Sequence, residues 1–495
     1  MKTKIFLAGS LLALGMASLT GCPTWVDGCA EGPCGTADGS ISETGPGPDV
    51  VIPDAGKDGD VPPPGCDSLN DPLKNPEKCF TDENWAYVSP SGDDGAAGTK
   101  GKPYKSVKKA LEGGKIRIAV CEGTYTESVE VTRDVTIQSG FSCDFTKAGA
   151  KAKVVGTKPD YAVSVAKPAG NVALRDLEVE AADGTASSVN SVAIVANDVT
   201  KVTLIGVSAT AKKGFDGPAG AVGATLTYAA GAPGNGNPAE ATKAGETKSC
   251  TCVGGSLTAG GAGGAPAVPN GSPGGESIPA NPPTQNGAGG TGGGDCVEGL
   301  GKRGAIRADA SDAAVAGGLG MVSDGRWAPA NGNDGASGLP GQGGGGGASL
   351  GAASFGGSGG CGGCGGTGGK GGKGGGASIA VLANAALISL DSSILKAGAG
   401  GAGGAGGAGG AGGFGGNGGG SISGCGGGTG GKGGGGGAGG GGAGGISYGI
   451  VYKGTKPIRT STTVSAGTPG KGGANGAGVM DHGPAGTAGE ELEAP

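Results

Sequence analysis

The stretch GAGGAGGAGGAGGAGGFGGNGGG, from Gly398 to Gly420, sets the narrowest limit on what this chain can build. Ala399, Ala402, Ala405, Ala408, Ala411, Phe414 and Asn417 fall at every third residue, with two glycines between neighbours. Neither the 3.6-residue period of an α-helix nor the two-residue period of a strand fits that spacing. Three residues per turn, rising about 3.1 Å each, is the left-handed extended helix. Every side chain then lies along one edge. The other two edges are bare backbone, which neighbouring strands can approach and hydrogen-bond. Collagen needs glycine only at every third position, with proline between; here two residues in three are glycine and the run has no proline. A second run repeats the period at Cys361, Cys364, Thr367, Lys370 and Lys373. Two readings stay open: a polyglycine-II-like bundle of parallel and antiparallel strands, or a flexible, disordered glycine-rich linker.

The period also governs Cys361-Gly-Gly-Cys364. Alone, a CxxC suggests redox chemistry or half a zinc site. In the three-residue helix the two Cα atoms would lie about 9 Å apart, beyond the roughly 7 Å that a disulfide spans. The expectation is that each bonds to another strand, with Cys250, Cys252, Cys296 and Cys425 as candidates. A zinc site from Cys250, Cys252, Cys361 and Cys364 is the alternative. Cys66 and Cys79 are spaced to close a local loop, as are Cys29 and Cys34. Cys121 and Cys143 are 22 residues apart, one turn of a β-solenoid, which stacks them about 4.8 Å apart.

Composition limits the rest. Glycine supplies 124 of 495 residues and aromatics only 3%, so much of the chain buries little apolar surface. The net charge is −6 with no basic cluster, and no nucleic-acid partner is expected. Of thirteen cysteines, an even twelve remain once Cys22 is set aside, the kind of count a disulfide framework in an exported chain would use.

The N-terminus, MKTKIFLAGSLLALGMASLTGC, has the charged start and short apolar run of a signal peptide. Its end, Leu19-Thr20-Gly21-Cys22, resembles the lipobox of bacterial lipoproteins. That resemblance implies cleavage before Cys22, a lipid-modified cysteine, and a membrane partner reached through N-terminal acyl chains such as palmitate. It places the protein outside the cytoplasm, lipid-anchored to the outer membrane or cell surface of a bacterium. Residue 23 is Pro, not the Asp that retains such proteins at the inner membrane of enteric bacteria. Residues 22–80 read as a Pro/Gly/Asp-rich tether.

From Trp85 the chain changes character. Tyr87-Val88-Ser89-Pro90, Gly98-Thr99, a helix over roughly 104–112, a strand over 116–120 and Gly123-Thr124-Tyr125-Thr126-Glu127 resemble the opening of pectin-lyase-like right-handed parallel β-helix proteins. Repeats agree. VALRDLEVEA (172–181) aligns without gaps on VTLIGVSATA (202–211), and more loosely on ISLDSSILKA (388–397) and IRTSTTVSAG (458–467). SVAIVAN (191–197) matches SIAVLAN (378–384). A unit that cannot bury its apolar face alone points to a solenoid; unrelated strands of a sandwich are the alternative.

The expected fold class is therefore all-β: a short right-handed parallel β-helix with long glycine-rich insertions. Its cap and first rungs occupy 81–211, with later rungs at 377–397 and 446–466. The glycine-rich segments are 212–376, 398–445 and a tail at 467–495, each leaving from one corner of the stack. Two readings stay open for the large first insertion: weaker rungs, for example near 305–321, or disorder. The tracts resemble the PGRS-type repeats of bacterial surface proteins, a low-complexity likeness without activity.

A catalytic reading finds little support. The single histidine, His482, sits in the tail, so a positioned triad or a multi-histidine metal site is not expected. Pectin-lyase-like enzymes use carboxylates, calcium and a Lys or Arg. Candidates of those types, Arg133, Asp134, Asp144, Arg175, Asp176 and Glu178, are scattered and form no motif. Asp93 and Asp94 read as turn-stabilising. Tyr125, Tyr161 and Tyr452 are the main aromatics of the rungs. The expected function is a non-enzymatic surface lipoprotein with a structural, adhesive or envelope-covering role, without cofactor. The alternative is a polysaccharide-binding or polysaccharide-lyase-like β-helix.

Overall fold

The computed structural model describes residues 61–495 apart from 168, 230, 232–233, 279–286 and 479–480. The stretches read from the sequence as a signal peptide and, for the most part, a tether lie outside these residues, with Cys22, Cys29 and Cys34. The chain divides into two units, Met1–Asp54 and Ala55–Pro495, and the described residues all belong to the second.

Three parallel sheets wind into a β-helix. The first holds, in spatial order, β1 (Trp85–Val88), β2 (Arg117–Cys121), β5 (Val135–Phe141), β8 (Asn171–Arg175), β11 (Lys201–Ile205), β19 (Leu387–Asp391) and β22 (Ile458–Thr460). The second holds β4 (Val129–Val131), β7 (Val163–Ala166), β10 (Ser191–Asn197), β18 (Ser378–Asn384), β21 (Ser447–Lys453) and β24 (Ala488–Glu493). The third holds β3 (Gly123–Thr126), β6 (Ala152–Val155), β9 (Leu177–Glu180), β12 (Ser208–Thr210), β20 (Ile394–Lys396) and β23 (Thr463–Ser465). After β1, each coil takes one strand from each sheet. Val172, Val202 and Ile388 stack in register, as do Leu174, Leu204 and Leu390. These inward side chains are buried, each stabilising the fold by about 1.5–3 kcal/mol. Between the first and third sheets, Asp176, Gly206, Ser392 and Ser461 repeat one left-handed turn, with φ of 53°, 62°, 49° and 46°. Only Gly206 adopts that turn without strain.

The opening motif has a physical role. Ser106 caps the helix Val107–Glu112 through Lys109 N–H. Glu127, which closes Gly-Thr-Tyr-x-Glu, accepts the N–H groups of Val107 and Lys108 from the next coil, placing a carboxylate at the positive end of the helix. Asp94 accepts three bonds from Lys105 and Ser106, and Asp93 accepts Gly95 N–H. Phe80, Trp85, Tyr87, Phe141 and Phe145 pack beside the Cys66–Cys79 and Cys121–Cys143 disulfides and cover the outer face of the first sheet's opening strands.

In the second sheet, the middle strands β10, β18 and β21 are buried on both faces. Its continuous apolar runs, SVAIVAN and SIAVLAN, are those of a doubly covered strand, not an alternating one. A hairpin, β16 (Gly320–Ser323) with β17 (Arg326–Pro329), lies on its outside. Trp327 there packs with Val192, Val195, Ile379, Leu382, Tyr448 and Val451. Trp327→Ala is expected to cost about 3 kcal/mol, read as a lower denaturant midpoint, while the inner stack of Leu174 and Leu204 keeps its amide protection.

Three expectations are corrected. Residues 305–321 form no rung, because β10 pairs directly with β18; part of this stretch runs beside the glycine strands and the rest enters the hairpin. The tail 467–495 is not wholly glycine-rich loop, since β24 adds a strand to the second sheet. The last coil pairs Ile458 with Ser389, not Ile388. The step from Lys453 to Ile458 equals that between their partners Asn384 and Ser389, so the chain length leaving β21 sets the register. A one-residue offset reverses the faces, so Ile458 is 56% exposed and Val464 fills the core opposite Leu395.

Candidate functional site

Glycine-rich strands leave the solenoid at one corner. After β12, β20 and β23, strands 212–224, 398–420 and 466–476 run outward side by side, joined by bonds such as Gly217 N–H to Ala402 O and Gly403 N–H to Lys471 O. Strands 355–376 and 424–446 return antiparallel beneath them and enter β18 and β21. Their bonds to 398–420 recur every third residue: Gly404 to Lys373, Gly407 to Lys370 and Gly410 to Thr367. Strands 301–316 and 330–347 lie on the far side of the return pair. At about 3.1 Å per residue, the 23 residues of 398–420 reach roughly 70 Å.

The number of glycines per triplet follows the number of edges covered. In 398–420, a Cβ on Gly403, Gly406 or Gly409 would collide with carbonyls of 424–446, and one on Gly404 or Gly407 with carbonyls of 212–224, all under 3.0 Å. The third edge is open and carries alanine. Strand 212–224 has one covered edge and one glycine per triplet, Gly214, Gly217, Gly220 and Gly223. Strand 424–446 changes along its length. Its third position is Thr429, then Lys432, where that edge is at least partly open. It becomes Gly441 and Gly444 where strand 466–476 covers it. The run Gly343–Gly347 likewise lies where strands near Ala259 and Ala288 close in. Strand 301–316 departs from the rule, with Arg307, Ala310 and Ala313 continuing the position of Gly301 and Gly304.

Side-chain oxygens bond strand N–H groups at the margins. Asp216 accepts Ala402 N–H, Asp309 accepts Gly435 N–H, and Asp334 accepts Gly371 N–H. The Lys213 ammonium and Ala402 N–H hold the Asp216 carboxyl below its ordinary value of 3.8. Lys370 and Gly371 N–H do the same for Asp334. A folded-state value below the unfolded one contributes stability above pH 3.8 that is lost as pH falls through the folded value. The denaturation midpoint of the bundle is therefore expected to fall below pH 3.8, and to fall less in Asp216→Asn/Asp334→Asn, which keeps the acceptors but does not titrate.

Three disulfides fasten the bundle. Cys250–Cys361 and Cys252–Cys364 attach the small sheet β13 (Lys248–Thr251), β14 (Leu257–Gly260) and β15 (Gly275–Ile278) to strand 355–376. Cys296–Cys425 joins a short helical turn to the start of strand 424–446. Cys361 and Cys364 are not bonded to each other. The four-cysteine zinc alternative is corrected, because all four sulfurs are spent in disulfides.

A second feature is a cleft of about 290 Å3 on the outer face of the first sheet, lined by Asn70, Gln138, Ser139, Lys151 and Asp176 among others. The Gln138 side chain is 4% exposed; its Nε2 donates to Asn70 O at 3.3 Å and its Oε1 has no partner. Burial raises the Asp176 carboxyl above its ordinary value, opposed by Lys151 and Arg175. Lys151 Nζ donates to Gly206 O at 2.6 Å. Of the six charged candidates, Asp176 lines the cleft, and Arg175 acts on it only through its charge. Asp134 accepts Gly170 and Asn171 N–H. Asp144 is held at about 2 by Ser142 and Thr146. Arg133 Nε donates to Leu111 O, and Glu178 stands exposed on β9. Tyr125 and Tyr452 are in the core, and Tyr161 bonds Glu130 beside Lys158. His482 lies at the surface opposite Ala474. Gln138 and Lys151 had no sequence signal, since neither lies in a motif and coil winding alone brings them beside Asp176.

Residues 90–232, less than a third of the chain, match a family described as "Protein of unknown function (DUF1565)". That family is associated with right-handed β-helices. No curated protein matches the chain.

Proposed function

We propose that this chain is a non-enzymatic lipoprotein, anchored through Cys22 outside the bacterial cytoplasm, whose right-handed β-helix carries a polyglycine-II-like arm. Its role on this reading is structural, adhesive or envelope-covering. The observation that carries it is the arm. Strands bonded at every third residue reach roughly 70 Å from the coils, and disulfides fasten the part not joined to a coil. A rigid, cross-linked extension suits spacing or coverage at a surface. Radiolabelled palmitate should enter the wild-type chain and not Cys22→Ser, and intact cells should be labelled by an impermeant reagent. Failure of either removes the anchor or the exposed face from the reading.

The cleft favours a second reading, a polysaccharide binder or lyase-like protein. Gln138 Oε1 lacks a donor, and Asp176 and Lys151 supply an acid and a cation beside it. Depolymerisation of acidic polysaccharides, with and without calcium, separates the two. Turnover abolished by Asp176→Asn would replace the first reading with the second.

A further inference from the structure

The glycine rows leave register undetermined. Sliding one strand past its neighbours by three residues returns glycine to most covered edges and an N–H to each facing carbonyl. The backbone pattern is therefore close to degenerate in steps of three residues, about 9 Å, as glycine-rich strands without a buried side-chain pattern are. Where a strand runs straight into a coil, as 355–376, 398–420 and 424–446 do, the coil fixes its position. The stretch 225–300 reaches a coil only through strand 212–224 and the 320–329 hairpin only through strand 301–316, and it holds Cys250, Cys252 and Cys296.

We propose that the disulfides, not the backbone, set the register of this stretch against the rest of the bundle. The CxxC spacing equals the slip step. A slip of one step brings Cys364 opposite Cys250 and puts Thr367 opposite Cys252, where no bond forms. Only the observed register satisfies both Cys250 and Cys252. Two cysteines one step apart therefore specify a position that a single cysteine leaves ambiguous. Each bond forms as two thiols lose two protons and two electrons to a disulfide oxidant, such as glutathione disulfide, which leaves as two thiols.

The test moves the pair by one step in the full-length chain. Cys361→Ser/Thr367→Cys is refolded in a glutathione redox buffer and mapped as non-reduced peptides. The expected bonds are Cys250 to Cys364 and Cys252 to the new thiol at 367. Retention of Cys252–Cys364, with Cys250 and the thiol at 367 both free, would overturn the proposal. Should the variant fail to fold, the wild-type chain is partly reduced and rapidly re-oxidised. Registers close to degenerate lie within about tenfold of one another in population, about 1.4 kcal/mol, so a Cys250–Cys364 species in at least about a tenth of chains supports the proposal, and a smaller fraction overturns it.

Discussion

Gly433→Ala and Gly436→Ala are each expected to destabilise the bundle by about 3 kcal/mol, the upper end for overpacking, and together to unfold it. A Cβ at Gly433 would meet Cys364 O, and one at Gly436 would meet Thr367 O, both well inside contact distance. The obstacle is backbone, so no rotamer change relieves it. Retreat of strand 355–376 would break its bonds to 398–420 and 330–347 as well. Ala408→Ser, on the open edge of 398–420, should stay within about 0.5 kcal/mol, as surface changes do. Denaturant titrations of the three variants decide the matter. Equal tolerance at Gly433 and Ala408 would show that the strands do not pack as described.

Removing both Cys250–Cys361 and Cys252–Cys364 is expected to cost about 5 kcal/mol, while removing either alone costs about 1 kcal/mol or less. The two bridges close loops of 111 and 112 residues whose ends almost coincide. A loop of about 100 residues carries roughly 4.7 kcal/mol of closure entropy in the chain-entropy model. Once one bridge has closed it, the second finds its cysteines already together and adds little. The effects should therefore be strongly non-additive. Paired Cys→Ser variants measured by denaturation provide the cycle. Additive losses would mean that each bridge acts through local contacts and not through the shared loop.

Much of the solenoid was legible because its signal is carried by side chains that repeat. The gapless match of 172–181 to 202–211 is the register observed between β8 and β11, and that of 191–197 to 378–384 is the register between β10 and β18. The loose match at 458–467 slipped by one because a connection length, not an apolar pattern, fixed it. The bundle was half legible. A period of three defines edges, but which edges are covered depends on neighbours up to about two hundred residues away, as when Asp216 meets Ala402 N–H across 186 residues. The hairpin at 320–329 was missed because Trp327 is a lone aromatic in a polar, glycine-rich segment; its apolar partners lie in three different coils. The cleft was illegible for a related reason, since Gln138, Lys151 and Asp176 are ordinary on their own strands and meet only through winding.

The corner from which the strands depart has one more consequence. Past it, the coils contribute nothing to how far the arm extends, so its length is written in whole triplets. Adding one Gly-Gly-Ala unit to an outgoing strand and a matching unit to its return would extend the tip by about 9 Å while repeating contacts already present. Reach in this architecture is quantised. It can be lengthened or shortened a step at a time without redesigning a core, provided adjoining strands change together.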